Sequence, residues 1–433
     1  ETGLREAMRP PQSHGARFAW LILVLGTLGS AGCTPWSQYV HHGFKVGPNY
    51  GRPPAPVAES WIDAADERVR SGSAEDKRWW NTFNDPILTG LVQTAYQQNL
   101  TLREAGFRVL ESRAQLGIAL GNMLPQLQTS SGDFAVKGLS VNVANRQAVF
   151  ERWYDQWDLG FNLAWELDFW GRFRRAIEAS EATLDASVEQ YDDVLVTLLG
   201  DVAANYVQYR TVEQRIAYAQ ENVRVQRKIL ELATARFKGG QTSELDVNQA
   251  QSDLSNTEAL IPRLRISRRE ANNRLCILLG MPPEDLQNQL GTGSIPTASS
   301  SVAVGIPAEL LRRRPDVRRA ERQAAAQSAQ IGVAEADFYP QFSIEGSLGW
   351  GSEDFGSLFD GRSFKGSVGP SFRWHILNYG RILNNVRYQD ARFRELIATY
   401  QQTLLKANEE VENGLVRFLE SQQEVQSLTE SVE

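Results

Sequence analysis

Few residues of this chain have both the type and the spacing that chemistry needs. The adjacent pair His41-His42 would suit a metal, but no further histidine or cysteine stands at ligand spacing from it. Cys33 and Cys276 are too few for a disulfide framework, and Cys276 lies inside a helical run as a small apolar residue. Paired carboxylates such as Glu409-Glu410 have the composition of an acid–base pair, yet on a long helix they make a solvated face. There is no H-E-x-x-H, no G-x-S-x-G, no phosphate-binding glycine loop and no cysteine paired with histidine. Arg312-Arg313-Arg314-Pro315-Asp316-Val317-Arg318-Arg319 has the charge to meet nucleic-acid phosphates, but Pro315 is placed to begin a helix. The net charge of −7 over 433 residues gives no general attraction to nucleic acid either. The expectation is a protein without catalytic residues, metal or cofactor, and not an enzyme.

One reactive residue has a context of its own. Met8 is followed by Arg9 and Arg17, the apolar run Phe18 to Leu28, and Ser30-Ala31-Gly32-Cys33, which reads as a secretion signal preceded by upstream residues. The apolar run is about half the roughly 20 residues of a bilayer span. Ala31-Gly32-Cys33 resembles the end of a bacterial lipoprotein signal, which would make Cys33 the lipidated first residue of the mature chain. Ser30 departs from the aliphatic residue preferred there, and an ordinary cleavage site with a free Cys33 thiol is the alternative.

The remaining information is architectural. From Arg172 to Phe237 about 66 residues pass without proline, enough for a helix on the order of 100 Å. Its apolar residues step by four and three through Leu184, Val188, Tyr191, Leu195, Leu198 and Val202. After a slip they resume at Ile216, Ala219, Val223, Leu230, Ala233 and Phe237, the seam of coiled-coil packing. Gly239-Gly240 ends the pattern, Ser243-Glu244-Leu245-Asp246 offers a capping box, and a second run reaches Leu279 before Gly280 and Pro282-Pro283. Pro262 should kink this return helix. Together the two runs predict a very long antiparallel hairpin.

Upstream, Thr34 to Ser73 is rich in proline and glycine and reads as an extended tether. Helical periodicity follows from Trp79 to about Gly121, with a break at Asn99. The period then becomes two: Trp157, Leu159, Phe161, Leu163, Trp165 and Leu167 alternate with Asp158, Gly160, Asn162, Ala164, Glu166 and Asp168. About nine to eleven residues is the length of a tilted membrane strand, so the odd-numbered residues are candidates to face lipid. Its partner is placed near Leu127 to Val136, with Val141 to Trp153 as an exposed loop.

The pattern then recurs. Ala329-Gln330-Ile331-Gly332-Val333-Ala334 with Tyr339-Pro340-Gln341-Phe342 echoes Ala114-Gln115-Leu116-Gly117-Ile118-Ala119 with Leu124-Pro125-Gln126-Leu127, 215 positions earlier. Trp374, Gly380 and Arg381 echo Trp165, Gly171 and Arg172, with two alternating strands at Phe342 to Trp350 and Phe364 to Ile376. The predicted organisation is 1–32 upstream residues and signal, 33–78 tether, 79–290 first repeat and 291–433 second repeat. The first repeat holds a strand pair at about 125–168 and the hairpin 171–280. The second holds a strand pair at about 341–377 and a long helix from 380. The fold class is mainly α with a small β part. Mean hydropathy of −0.37 excludes a bundle of membrane helices. Four membrane strands leave open edges that cannot face lipid, so several chains must close the barrel, and a conducting pore favours three chains and twelve strands over two and eight.

These features resemble the TolC family of outer-membrane efflux proteins, in its lipoprotein branch typified by OprM and NodT. The residues that carry the resemblance are Val46-Gly47-Pro48-Asn49-Tyr50 with Pro53, Asp85-Pro86 with Leu88, and Arg236-Phe237 with Gly240, Asp246-Val247 and Ala250. Leu278-Leu279-Gly280 with Pro282-Pro283, and Arg314-Pro315-Asp316-Val317, complete the set. The resemblance implies a homotrimer with a twelve-stranded barrel in outer-membrane lipid and a periplasmic α-barrel, joined to an inner-membrane pump by a periplasmic adaptor. It places the turn between the long helices at the adaptor, with Arg236, Gly240, Thr242, Ser243 and Asp246 at the contact. The implied function is a passive exit duct for small toxic compounds in the bacterial outer membrane, lipid-anchored and extending into the periplasm. Protein secretion through the same duct is an alternative, and a periplasmic coiled-coil scaffold or adhesin is another. The offset of 209 between Trp165 and Trp374 would put a second tip near position 449, so the last helix is expected to run to Glu433 without a return partner.

Overall fold

The computed structural model describes residues 35–54, 56–71, 78–140, 142, 144, 151–298, 301–304 and 307–432. The signal sequence and Cys33 lie outside the described residues. In chain order the elements begin with α1 (Trp36–His41), β1 (Val69–Ser71), a 3₁₀ turn at Trp79–Phe83, α2 (Pro86–Gln98) and α3 (Leu100–Gly121). The hairpin β2 (Leu127–Gly138) and β3 (Trp153–Leu167) leads into α4 (Arg172–Lys238) and α5 (Glu244–Leu278). After α6 (Gln287–Leu290) and β4 (Val302–Val304) come α7 (Pro307–Arg313), α8 (Pro315–Ala336), the hairpin β5 (Gln341–Ser352) and β6 (Phe364–Arg373), and α9 (Arg381–Val432).

The duplication is visible in the backbone. Helices α3 and α8 each have 22 residues and begin 215 positions apart, at Leu100 and Pro315. Trp165 donates its indole N–H to the Met123 carbonyl at 3.2 Å, and Trp374 does the same to Phe338, 215 positions on, at 2.9 Å. Each strand pair is followed by a glycine with positive φ, Gly171 at 81° and Gly380 at 80°, after which Arg172 and Arg381 begin the long helices. Two compact units each draw on both repeats. One comprises the N-terminal residues through Pro53 with Arg113–Thr183 and Arg322–Ala398; the other comprises Pro54–Ser112, Leu184–Glu321 and the residues from Thr399 onward.

The first unit contains a four-stranded sheet of order β2-β3-β5-β6, antiparallel throughout. Two hairpins join along β3 and β5, leaving β2 and β6 as edges. Strand β3 begins at Trp153, earlier than the alternation predicts, because the Trp153 ring lies over Gly138 of β2, where a Cβ would come within 2.4 Å of it. Strand β6 stops at Arg373 rather than at Ile376, since Arg373 pairs with Gln341, the first residue of β5, and no partner backbone lies beyond it in the sheet.

In the second unit, helix α2 starts cleanly. Asp85 caps it by accepting from the Ile87 and Leu88 amides at 2.8 and 3.0 Å, and Pro86 occupies the first helical position. The break at Asn99 is a working joint: its side chain accepts from the Leu102 amide and donates to the Leu278 carbonyl at 2.9 Å. Leu88, Leu91, Ala95 and Leu102 bury against Leu198, Val202 and Tyr206 of α4 and Leu275 and Leu279 at the end of the return helix. The apparent slip in the seam is filled by Tyr206, Tyr209 and Val212, all buried. Val188 and Phe237, expected in the seam, are exposed, because the helices of this chain leave those faces uncovered. Helix α5 continues through Pro262, with Leu254 and Leu264 buried on either side of it. The tether also holds structure that composition hides: α1, and strand β1 in parallel register with β4.

The basic run at the start of α8 is spent on carboxylates of the second unit. Arg314 grips Asp316 in a two-pronged contact at 2.9 and 3.1 Å and reaches Glu410 of α9 at 2.6 Å. Arg318 meets Glu189 at 2.6 Å and Arg319 meets Asp193 at 3.5 Å, both on α4. Burial opposes ionisation of Asp316, but hydrogen bonds and charge from Arg314 outweigh it and lower its pKa. A lowered carboxylate pKa contributes stability that is present above the unfolded value, about 3.9, and is lost as pH falls through the folded value. Asp193 has the opposite sign: burial raises its pKa against the pull of Arg319, so its protonation on acidification is favoured by folding. We expect Asp316→Asn to flatten the fall in thermal midpoint below about pH 4 in the detergent-purified protein. A profile identical to that of the parent would remove Asp316 from the acid response.

Candidate functional site

The turn between α4 and α5 is built from two complementary caps. At the end of α4 the Gln241 amide donates to the Arg236 carbonyl and the Gly240 amide to the Phe237 carbonyl, both at 2.9 Å, with Gly240 at φ 73°. This is the Schellman arrangement, which requires a left-handed residue at the position of Gly240. At the start of α5, Ser243 Oγ accepts from the Asp246 amide at 3.4 Å while Asp246 accepts from the Ser243 amide at 3.0 Å, the capping box expected from the spacing. Thr242 also donates to the Asp246 carboxylate. Hydrogen bonds from Thr242 and Ser243 lower the Asp246 pKa, so the carboxylate stays charged at the positive end of the α5 dipole. Arg236, Gly240, Ser243 and Asp246 are exposed and Thr242 is half-buried, so the structure brings all five together on one turn.

The sheet has two chemically distinct faces. Directly opposed residues of antiparallel strands share a face. Trp157, Leu159, Phe161, Leu163 and Trp165 stand opposite Ser352, Trp350, Leu348, Gly346 and Ile344 of β5, and the same face continues through Phe364, Val368, Pro370 and Phe372 of β6. On β2 it holds Gln128, Ser130, Gly132 and Phe134, which explains the poor alternation of that strand. The other face carries Asp158, Asn162, Ser347, Ser367 and Lys365, which line an open cleft of about 510 Å³, so the polar side is the concave one. There Lys365 of β6 reaches over β5 to pair with Asp158 of β3, and Lys137 of β2 approaches the same carboxylate at 3.6 Å. The crossing depends on Gly351, where a Cβ would sit 2.8 Å from Asp158 Oδ1 and 3.1 Å from Lys365 Nζ. No helix among the described residues is long and apolar enough to cross a membrane.

Residues 91–281 and 306–433 match the outer membrane efflux protein family. The chain belongs to that family. It is 32% identical over 403 residues to nodulation protein T of Rhizobium leguminosarum bv. trifolii, covering 92% of this chain and 84% of that protein. To outer membrane protein OprJ of Pseudomonas aeruginosa it is 30% identical over 373 residues, covering 86% and 77%. The solved outer-membrane channel OprN superimposes with a TM-score of 0.82 at 32% identity, covering 89% of this chain and 85% of that one.

In this outer membrane efflux protein the Val46-Gly47-Pro48-Asn49-Tyr50 motif has a physical explanation that spacing alone did not supply. It docks the tether onto a buried guanidinium. Arg175 of α4, 2% exposed, donates to the carbonyls of Val46 and Gly47 at 2.9 Å and to Asn49 Oδ1 at 3.0 Å, with Glu178 beside it at 2.7 Å. Gly47 lies against Gly332 of α8, and a Cβ on Gly47 would come 2.3 Å from the Gly332 Cα. Arg174 and Tyr39 add further ties, to the carbonyls of Gly43, Phe44 and Phe169. His42 is half-buried with Nδ1 2.9 Å from the Gly47 carbonyl. Among the described residues no group of histidines, cysteines and carboxylates is arranged to hold a metal ion.

Proposed function

We propose that this chain is the protomer of a passive trimeric exit duct, carrying small toxic compounds from the periplasm through the outer membrane. The observation that carries the reading is the sheet: one apolar face, one polar and concave face, and two open edges. Three such sheets joined edge to edge give twelve strands with lipid outside and a wet lumen inside, which satisfies the backbone pairing that a membrane demands. Trp157, Leu159, Phe161, Leu163 and Trp165 then face lipid, while Asp158, Asn162 and Lys365 line the passage. The turn at Arg236, Gly240, Thr242, Ser243 and Asp246 meets the periplasmic adaptor, which couples the duct to an energised inner-membrane pump. Cys33 carries the lipid anchor, and the Arg175 clamp fixes where the tether from that anchor joins the body. The duct itself uses no nucleotide and performs no bond chemistry.

The test is complementation. In a bacterium lacking its own outer-membrane efflux component, the chain expressed with its adaptor and pump should restore tolerance to a toxic substrate of that pump and form detergent-soluble trimers by native mass spectrometry. A protein that stays monodisperse in buffer without detergent and restores no tolerance would instead be a periplasmic scaffold.

A further inference from the structure

Helix α5 presents Arg265, Arg268, Arg269 and Asn272 at the i, i+3, i+4 and i+7 positions that place side chains on one helical face. With Tyr209 of α4 and Asp285 of the turn after α5 they line an open pocket of about 210 Å³. Every lining residue belongs to the second compact unit. The pocket is basic in a chain whose net charge is −7. Arg269 pairs loosely with Asp285 at 3.6 Å, whereas neither Arg265 nor Arg268 has a carboxylate within ion-pair distance among the described residues. Three guanidinium groups within one and a half turns of a helix raise the local positive potential, which favours an anion at the pocket.

A second observation points the same way. Tyr209 is 1% exposed and lines the pocket, yet its hydroxyl makes no hydrogen bond among the described residues. The ring is buried while the hydroxyl opens onto the pocket, so an acceptor seated there takes its hydrogen bond without displacing a protein partner. Burial raises the Tyr209 pKa, with Glu213 adding to the rise and Arg268 opposing it, and the phenol is therefore a protonated donor at neutral pH. Asn272 is already occupied, donating to the Glu284 carbonyl at 2.6 Å and accepting from the Leu286 amide at 3.0 Å, and it holds the wall of the pocket in place.

We propose that this pocket is an oxyanion site that takes a phosphate group, held by the guanidinium groups of Arg265 and Arg268 and the hydroxyl of Tyr209. Three guanidinium groups and one carboxylate leave two positive charges, which complements a phosphate monoester or phosphate ion of about −1.5 to −2 at neutral pH. Guanidinium N–H pairs match the oxygens of a tetrahedral anion in a forked geometry, and the phenol supplies one further donor. The site is independent of the duct's tip and of its sheet. It gives the helical part of the protein a chemistry for recognising phosphate, whether free or at the end of a larger molecule.

The test uses the full chain purified in detergent and isothermal titration with inorganic phosphate at constant ionic strength, chloride replacing it in the blank. Saturable binding is expected, weakened tenfold or more in Arg265→Gln and in Arg268→Gln and severalfold in Tyr209→Phe. Arg263→Gln, which removes the same charge from an exposed position outside the pocket, should leave it unchanged. Arg265 is exposed, so its variant keeps the fold even where Arg268→Gln disturbs it. Titration with glycerol phosphate separates the two sources: equal affinity means that phosphate ends of larger molecules fit, and binding of inorganic phosphate alone means a free ion. No saturable binding of either, or equal weakening by Arg263→Gln and Arg265→Gln, overturns the proposal.

Discussion

Arginine in place of Phe161 or Leu163 should keep the chain from assembling in the outer membrane, while arginine in place of Asn162 between them should leave assembly intact. Phe161 and Leu163 lie on the apolar sheet face opposite Leu348 and Gly346; Asn162 lies on the polar face opposite Ser347. A charge at the midplane of a lipid-facing strand costs about 2 to 4 kcal/mol, and a trimer bears it in three copies. At Asn162 the same guanidinium enters the concave side, beside an open cleft of about 510 Å³ bordered by Asp133 and Asp158. Seminative electrophoresis of isolated outer membranes gives the measurement, as the fraction of chain running as trimer. Equal tolerance at odd and even positions would mean that the apolar face is covered by protein and not by lipid, and the duct reading would go with it.

That contrast could be framed from the alternation of β3 alone, because a half-wet strand writes its two faces into every second residue. The long hairpin was legible for a similar reason: a proline-free run, a glycine pair and a capping box act within a few residues of one another. Arg175 was not. Nothing in its neighbourhood marks it as buried, since its acceptors are carbonyls of Val46 and Gly47, nearly 130 positions away. The β1–β4 ladder escaped likewise, with three residues per strand and partners as distant as Val69 and Val302. Tyr206 and Tyr209 looked like a slip in an aliphatic seam because their hydroxyls mask how well their rings pack; Tyr206 is buried with its hydroxyl donating to Asp85 at 2.8 Å. The arginines of α5 have a legible signal in their i, i+3, i+4 spacing. Only the fold supplies the Tyr209 hydroxyl that turns a charged helix face into a pocket.

At the hairpin tip, Gly240→Val should abolish export while the trimer still assembles. Gly240 sits at φ 73°, a conformation that a β-branched residue adopts only with strain. The left-handed conformation costs an L-residue about 1 to 2 kcal/mol, too little to undo a hairpin whose arms have 67 and 35 residues. The turn must therefore relax locally, losing the amide bonds from Gly240 and Gln241 that close α4 and shifting Thr242 and Ser243 against Asp246. Within the chain a Cβ at Gly240 meets nothing within 4 Å, so any steric penalty beyond this backbone strain comes from a partner lying against the turn. Gly240→Asn separates the two effects, because asparagine tolerates the left-handed region but still adds a side chain. If close approach by the adaptor is what matters, both variants fail in the tolerance assay and both assemble. If only the turn conformation matters, Asn restores export and Val does not. Full tolerance in the Val variant would remove the turn from the coupling surface altogether.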